Sequence, residues 1–173
     1  GFDPLVNMTS TIHYRWGQSA DVVVRMPTGA GVGAGPFHSQ SNEMWFVKTP
    51  GLKVVYPSNP YDAKGLLMTA FDDPNPVMFF EHKAMYRSIS GPVPEQPYGI
   101  PFGKANVVRE GKGATIVTYG LMVHRALDAA AALAKDGVEC EVIDLRTLSP
   151  IDMDTVLESV EKTGHLVCVD EDN

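Results

Sequence analysis

The stretch TGAGVGAGPFHSQS, residues 28–41, ends around one imidazole, His38, with Ser39, Gln40, Ser41 and Glu43 close by in the chain. Histidine titrates near neutrality, and hydroxyl, amide and carboxylate groups beside it can orient the ring or a water for proton transfer. A loop histidine bonded only to backbone reads the same way from residue types. Ahead of it, Gly29, Gly31, Gly33 and Gly35 alternate with small residues. Each glycine adds unfolded-state entropy and supplies no side chain, so the stretch predicts a loop whose backbone approaches something closely.

Gly29 to Ala34 also satisfies the dinucleotide pattern G-x-G-x-x-A after a predicted strand. A dinucleotide loop must open directly into a helix, but Gly35 and Pro36 interrupt, and no acidic residue ends the next apolar run, KVVYP. The sequence has no G-x-x-x-x-G-K-[ST] phosphate loop and no G-x-S-x-G elbow. Nucleotide binding and serine-hydrolase chemistry are therefore set aside.

The remaining histidines carry weaker signals. His13 (TIHYRW) lies in an aromatic amphipathic stretch and is expected to pack. His82 follows a strand end in FFEHKAMYR, where it, Glu81, Lys83 and Arg87 suit either an ion network or an interface. His124 and His165 stand at a helix start and a strand start, where solvated roles are usual. Asp72, Asp73 and Asn75 in FDDPNP form an oxygen-rich turn, ordinarily an Asx turn and in principle a source of ligands to a hard cation.

These groups must be held by a chain of 173 residues, 44% apolar and 20% charged, which excludes disordered and fibrous classes. A net charge of −7 without clustered Lys or Arg argues against nucleic acid as a partner. No run approaches the length of a membrane span, and the chain opens on Gly-Phe-Asp without a signal peptide, so a soluble intracellular protein is expected. Its start without an initiator methionine suggests a processed chain or an excised piece. Cys140 and Cys168 each sit in an apolar run with no metal-ligand spacing and are expected as buried thiols; a disulfide is the alternative if their strands are adjacent.

Short apolar runs alternate with helical patterns, the signature of parallel α/β layers. The predicted strands are 21–26, 53–56, 77–81, 114–119, 140–145 and 166–169, all expected to be covered on both faces. Asn59 as cap, Pro60 at the first position and Ala63, Leu66, Leu67, Ala70 and Phe71 at helical spacing predict a crossover helix. Two further helices are predicted, over about 122–135, stopped by Gly137, and from Asp152 to before Gly164. The segment 88–103 holds four prolines and three glycines without periodicity and reads as an extended linker. On either side lie three predicted strands, too few for an independent sheet, so both parts look incomplete.

The span FHSQSNEMWFVKTPGLKVVYPSNPYDAKGLL, followed by DDPNPVMFFEHKAMYR and CEVIDLRTLSPIDMDTV, resembles the beta subunit of thiamine-diphosphate-dependent 2-oxo acid dehydrogenases of the branched-chain or pyruvate type. The resemblance covers nearly the whole chain, with separate segments matching in order. It implies an α/β protein: residues 1–90 as the later part of a three-layer, parallel-sheet pyrimidine-binding domain, 91–104 as a Pro/Gly-rich linker, and 105–173 as the first part of a transketolase carboxy-terminal-type domain.

It further implies oxidative decarboxylation of a 2-oxo acid with acyl transfer to lipoyl-lysine. The cofactor would be thiamine diphosphate with magnesium, held mostly by a partner alpha subunit. A second beta subunit and the lipoyl domain of an acyltransferase would be the other partners, in the bacterial cytoplasm or mitochondrial matrix. His38 matches the family histidine on the thiazolium side, which implies roles in polarising the cofactor-bound intermediate and in acyl transfer. The glutamate that activates the aminopyrimidine is expected upstream of Gly1, so this chain alone is expected to be inactive. A structural potassium ion is implied at the positions of Ala20, Val22, Val23, Ala70, Asp73 and Asn75, the first three through backbone carbonyls. A transketolase or deoxyxylulose phosphate synthase, which share the domain pair, and a non-catalytic interaction module are the competing readings.

Overall fold

The computed structural model describes residues 1–171. Its strands are β1 (Val23–Thr28), β2 (Lys53–Val55), β3 (Val77–His82), β4 (Asn106–Arg109), β5 (Ala114–Thr118), β6 (Cys140–Asp144), β7 (Thr147–Ser149) and β8 (Leu166–Cys168). Its α-helices are α1 (Ile12–Trp16), α2 (Met44–Val47), α3 (Pro60–Asp72), α4 (Met85–Ser88), α5 (Leu121–Leu133) and α6 (Met153–Thr163), preceded by a wide helical turn over Pro4–Thr9.

Two four-stranded sheets result, in the orders β1-β3-β2-β7 and β4-β6-β5-β8. β3 lies between β1 and β2, parallel to both and buried at every position, which is why its run VMFFEH does not alternate. In the second sheet β6, β5 and β8 are parallel and β4 pairs with β6 antiparallel. Each sheet thus gains one strand over the three expected. The chain order conceals where the fourth strand of the first sheet comes from. β7, from the far end of the sequence, crosses back and pairs antiparallel with β2.

That crossing makes the hydrophobic core common to both sheets. Phe46, Val54, Tyr56, Met78 and Phe80 from the first part pack with Val117, Ile143, Leu145 and Leu148 from the second in one cluster. The three long helices begin and end as their sequences require. Asn59 Oδ1 accepts the Asp62 N–H at 2.9 Å with Pro60 following, and Asp152 Oδ1 accepts from Thr155 N–H.

The proline-rich segment is strapped to α3. Ile100 is buried and donates its N–H to Gly65 O, Tyr98 stacks on Tyr61, and the Lys64 ammonium bonds the carbonyls of Pro94, Glu95 and Gln96. Gly65 allows this closeness, since a Cβ there would meet the Ile100 side chain at 2.7 Å.

Several expectations are corrected. The first strand lies two residues later than predicted, and the Val77 N–H on Val22 O is the bond that enters its ladder with β3. β8 is exposed along its length as an edge strand, not covered on both faces. Cys168 on it is exposed, whereas Cys140 is buried. β6 and β8 flank β5 on opposite sides, which leaves the two thiols no common edge for a disulfide. His13 does not pack; it stands exposed on α1.

Candidate functional site

The glycine-rich stretch leaves the carboxyl end of β1 as a loop that closes on its own base. Gln40 O accepts the Gly29 N–H at 3.0 Å and the Thr28 hydroxyl at 2.7 Å, pinning both ends together. Gly29, Gly31, Gly33 and Gly35 all have φ between +69° and +88°, the left-handed region that costs an L side chain about 1 kcal/mol or more. The alternating glycines therefore serve backbone shape as much as close approach.

Pro36–His38 forms a single tight turn at the tip, where His38 and its neighbour Phe37 are exposed. Phe37 is 88% exposed, an apolar ring held in solvent beside the imidazole. Among the described residues the His38 side chain has no hydrogen-bond or ion-pair partner. Ser39 does not orient the ring, since its hydroxyl donates to Gly35 O at 2.8 Å. His38 lines neither the groove beside α3 nor the small cavity at Asn75. An unengaged imidazole on a shaped, exposed turn fits a group that approaches from outside this chain.

Glu43, in the same segment, is buried and accepts from the Tyr119 hydroxyl at 3.1 Å, linking the loop's far side to the second sheet. His82 lies beneath the loop with a fully buried side chain. Its Nδ1 accepts the Ala84 N–H at 3.2 Å and its Nε2 lies 2.7 Å from Glu171 Oε2, at ion-pair distance without the alignment of a good hydrogen bond. Of the ion network and the interface open to Glu81, His82, Lys83 and Arg87, no ion pair of Glu81 with Lys83 or Arg87 occurs among the described residues. Glu81 takes Arg25 instead, at 2.5 and 2.8 Å, together with the Tyr86 hydroxyl at 2.6 Å. Burial would raise the Glu81 carboxyl, but the Arg25 and Tyr86 hydrogen bonds outweigh it and hold the carboxyl below its usual range.

Glu81, His82 and Arg25 border a groove of about 470 Å³ whose apolar wall includes Leu67, Met68 and Phe71 of α3 and Met85 of α4. On its rim, at the seam between the two sheets, Ser58 donates to the buried Asp144 carboxylate at 2.5 Å. His124 Nε2 lies 2.8 Å from Ser58 O, so His124 is not merely solvated. Arg146, the one non-glycine residue with positive φ among those described, reaches Asp62, Lys104 O and Ala105 O.

Of the positions implied for potassium, Ala20 and Asn75 line a small cavity of about 140 Å³ with Pro74 and Pro76. Val23 opens β1 and Ala70 is buried in α3. Asp73 Oδ1 accepts both N–H groups of Asn75 at 2.9 Å, and its other oxygen takes the Lys53 ammonium. Ala20 O accepts from Val22 N–H, and Val22 O from Val77 N–H. Lys53 thus supplies a positive charge to one oxygen of Asp73. No group of three or more His, Cys, Asp or Glu with metal-binding geometry occurs among the described residues.

Sequence reasoning did not find Ser58, Asp144 or Glu171. Their partners lie 86 and 89 positions away in the chain (144 − 58 and 171 − 82), a relation no local pattern encodes.

Comparison with known proteins gives the lineage. The model of the transketolase pyrimidine-binding domain matches residues 6–88, and that of the transketolase C-terminal domain matches residues 103–173. The chain is 59% identical to the acetoin:2,6-dichlorophenolindophenol oxidoreductase subunit beta of Cupriavidus necator, over 98% of this chain and 51% of that protein. It is 50% identical to the 2-oxoisovalerate dehydrogenase subunit beta of Bacillus subtilis, over 97% of this chain and 52% of the relative. To the pyruvate dehydrogenase E1 component subunit beta of the same organism it is 52% identical, over 91% and 48%. The chain therefore spans about half the length of the curated relatives it matches. A solved structure described as a split gene transketolase, inactive beta4 tetramer, superposes with a TM-score of 0.80 at 27% identity, over 99% of this chain and 53% of that one.

Proposed function

Because this chain belongs to the transketolase family, with a pyrimidine-binding stretch joined to the C-terminal domain, we propose that it is part of the beta subunit of a thiamine-diphosphate-dependent, acyl-transferring dehydrogenase. Its substrate is a 2-oxo acid such as pyruvate or 2-oxoisovalerate, or the related acyloin acetoin. The observation that carries this reading is identity of 50% or more to beta subunits for all three substrates across nearly the whole chain.

The partners in this reading are an alpha subunit, a second beta subunit and the lipoyl domain of an acyltransferase. Thiamine diphosphate, with magnesium held by the alpha subunit, supplies the carbanion stabilisation that decarboxylation needs. What this chain contributes is His38. Its imidazole, exposed and unengaged on the turn after Gly35, can hold a proton at Nε2 or Nδ1 and hand it to an acyl acceptor arriving from the partner side. Phe37 beside it offers an apolar surface that excludes water once the tip is covered. No helix among the described residues is long and apolar enough to cross a membrane, and a setting in the bacterial cytoplasm or mitochondrial matrix goes with this reading.

The test is reconstitution of the full-length subunit with its alpha subunit, thiamine diphosphate and magnesium. Reduction of dichlorophenolindophenol with acetoin, pyruvate and 2-oxoisovalerate in turn should single out one substrate. No reduction with any of them, at confirmed cofactor occupancy, would overturn the assignment.

A further inference from the structure

We propose that His82, braced by Glu171, is the positioning residue of the His38 loop, registering that loop against the second sheet. The inference rests on the reading of His38 given above and adds the device that sets where His38 stands.

The base of the loop rests on the His82 ring. Thr28 pairs in register with His82 across β1 and β3, and Lys83 N–H donates to Thr28 O at 2.9 Å. At the next residue Gly29 lies flat on the imidazole. A Cβ there would fall 2.2 Å from Nε2, 2.3 Å from Cδ2 and 2.7 Å from Cε1. Gly29 in turn holds Gln40, so both ends of the loop are fixed by where this ring lies.

The ring's own orientation is set from two directions. Nδ1 accepts the Ala84 N–H, and Nε2 lies 2.7 Å from Glu171 Oε2, a polar contact held by proximity and not by an aligned hydrogen bond. Glu171 follows β8, and that strand's exit is tied down by Val169 N–H on Val117 O and by the Thr118 hydroxyl on Val169 O. A chain of contacts therefore runs from β5 through Glu171 and His82 to Gly29 and the His38 turn. Removing the carboxylate leaves the Ala84 N–H as the polar restraint on the ring among the described residues, and a small tilt of the ring at Gly29 is carried to the tip. Reaction rates fall steeply when a proton-transfer group is displaced by about 1 Å, so a small tilt is enough.

The experiment is a double-mutant cycle in the full-length subunit within its assembled complex. Glu171→Ala is the primary variant, because its side chain is partly exposed and its loss opens no core cavity. His82→Gln, which keeps a donor toward Glu171, is the conservative companion. Glu171→Ala should lower acyl transfer to the lipoyl domain about tenfold, and should have no further effect in the His38→Ala background, since both act through one group. His82→Gln should retain most of the rate. A loss that multiplies with that of His38→Ala would mark a general structural effect and overturn the proposal, as would unchanged transfer.

Amide exchange over residues 29–41 reads the positioning itself. It should quicken about tenfold in Glu171→Ala while β3 and β6 stay protected; equal exchange in both proteins would overturn it. Should His38→Ala leave acyl transfer intact, the role given to His38 fails, and the exchange result still decides the clamp.

Discussion

Ser58 Oγ donates a 2.5 Å hydrogen bond to the Asp144 carboxylate, joining the turn after β2 to the end of β6 in the middle of the molecule. Burial pushes this carboxyl up to about 7, helped by the nearby Asp62 charge, although Ser58 and Arg146 pull it down. A carboxyl whose folded value exceeds its unfolded value takes up its proton more readily when folded. Its stabilising contribution is complete below about pH 4 and is lost as pH rises through about 7.

Asp144→Asn keeps the shape and removes the titration. Relative to this variant, the wild-type protein should lose a few kcal/mol, at roughly 1.4 kcal/mol per unit, between about pH 4 and 7, and the difference should be flat above that. Parallel denaturant titrations of the two proteins at stepped pH check this. A constant difference across the range would refute it.

The opposite sign is expected at Asp152. Burial alone would raise this carboxyl, but the N–H groups of Ala105 and Thr155 and the Thr155 hydroxyl lower it. Asp152→Ala should cost about 1 kcal/mol or more at neutral pH, a typical value for a lost helix cap. The cost should shrink as pH falls below about 4, where the wild-type carboxyl also becomes neutral. Thermal melts at pH 7 and pH 3 distinguish this from a simple packing loss, which would not depend on pH.

Leu148 on β7 is buried in the cluster shared by the two sheets. Leu148→Ala should destabilise by about 2–4 kcal/mol, and unfolding should remain a single transition, because the cluster belongs to both sheets. Two separate transitions in a calorimetric scan would show instead that the sheets unfold independently.

His38→Ala removes an exposed side chain with no partner among the described residues, so folding stability should change by less than about 0.5 kcal/mol. In the assembled enzyme lipoyl acylation should drop at least about tenfold, with thiamine diphosphate affinity within a factor of about three. Stopped-flow acylation alongside calorimetric cofactor titration measures both. Wild-type acylation would contradict the role given to this residue.

The sequence by itself determined the elements whose signals are local. The Asn59-Pro60 start and apolar stripe of α3, the glycine stops after α5 and α6, and the continuous apolar runs of β3, β5 and β6 depend on neighbours within a few residues. It also determined that residues 28–41 form a shaped loop presenting His38, since alternating glycines admit little else. β4 and β7 escaped notice because NVVR and TLS are too short to carry a periodicity, and β7 is a strand only where β2 offers it an edge.

Only the tertiary structure decided what the polar residues do. Ser58 with Asp144, Glu43 with Tyr119 and His82 with Glu171 meet across separations of 76 residues or more. Hydrogen bonds and ion pairs act over a few ångströms of space and are indifferent to distance along the chain. Whether an imidazole in FFEHKAMYR lies in solvent or under a glycine was therefore settled when the two sheets closed on each other.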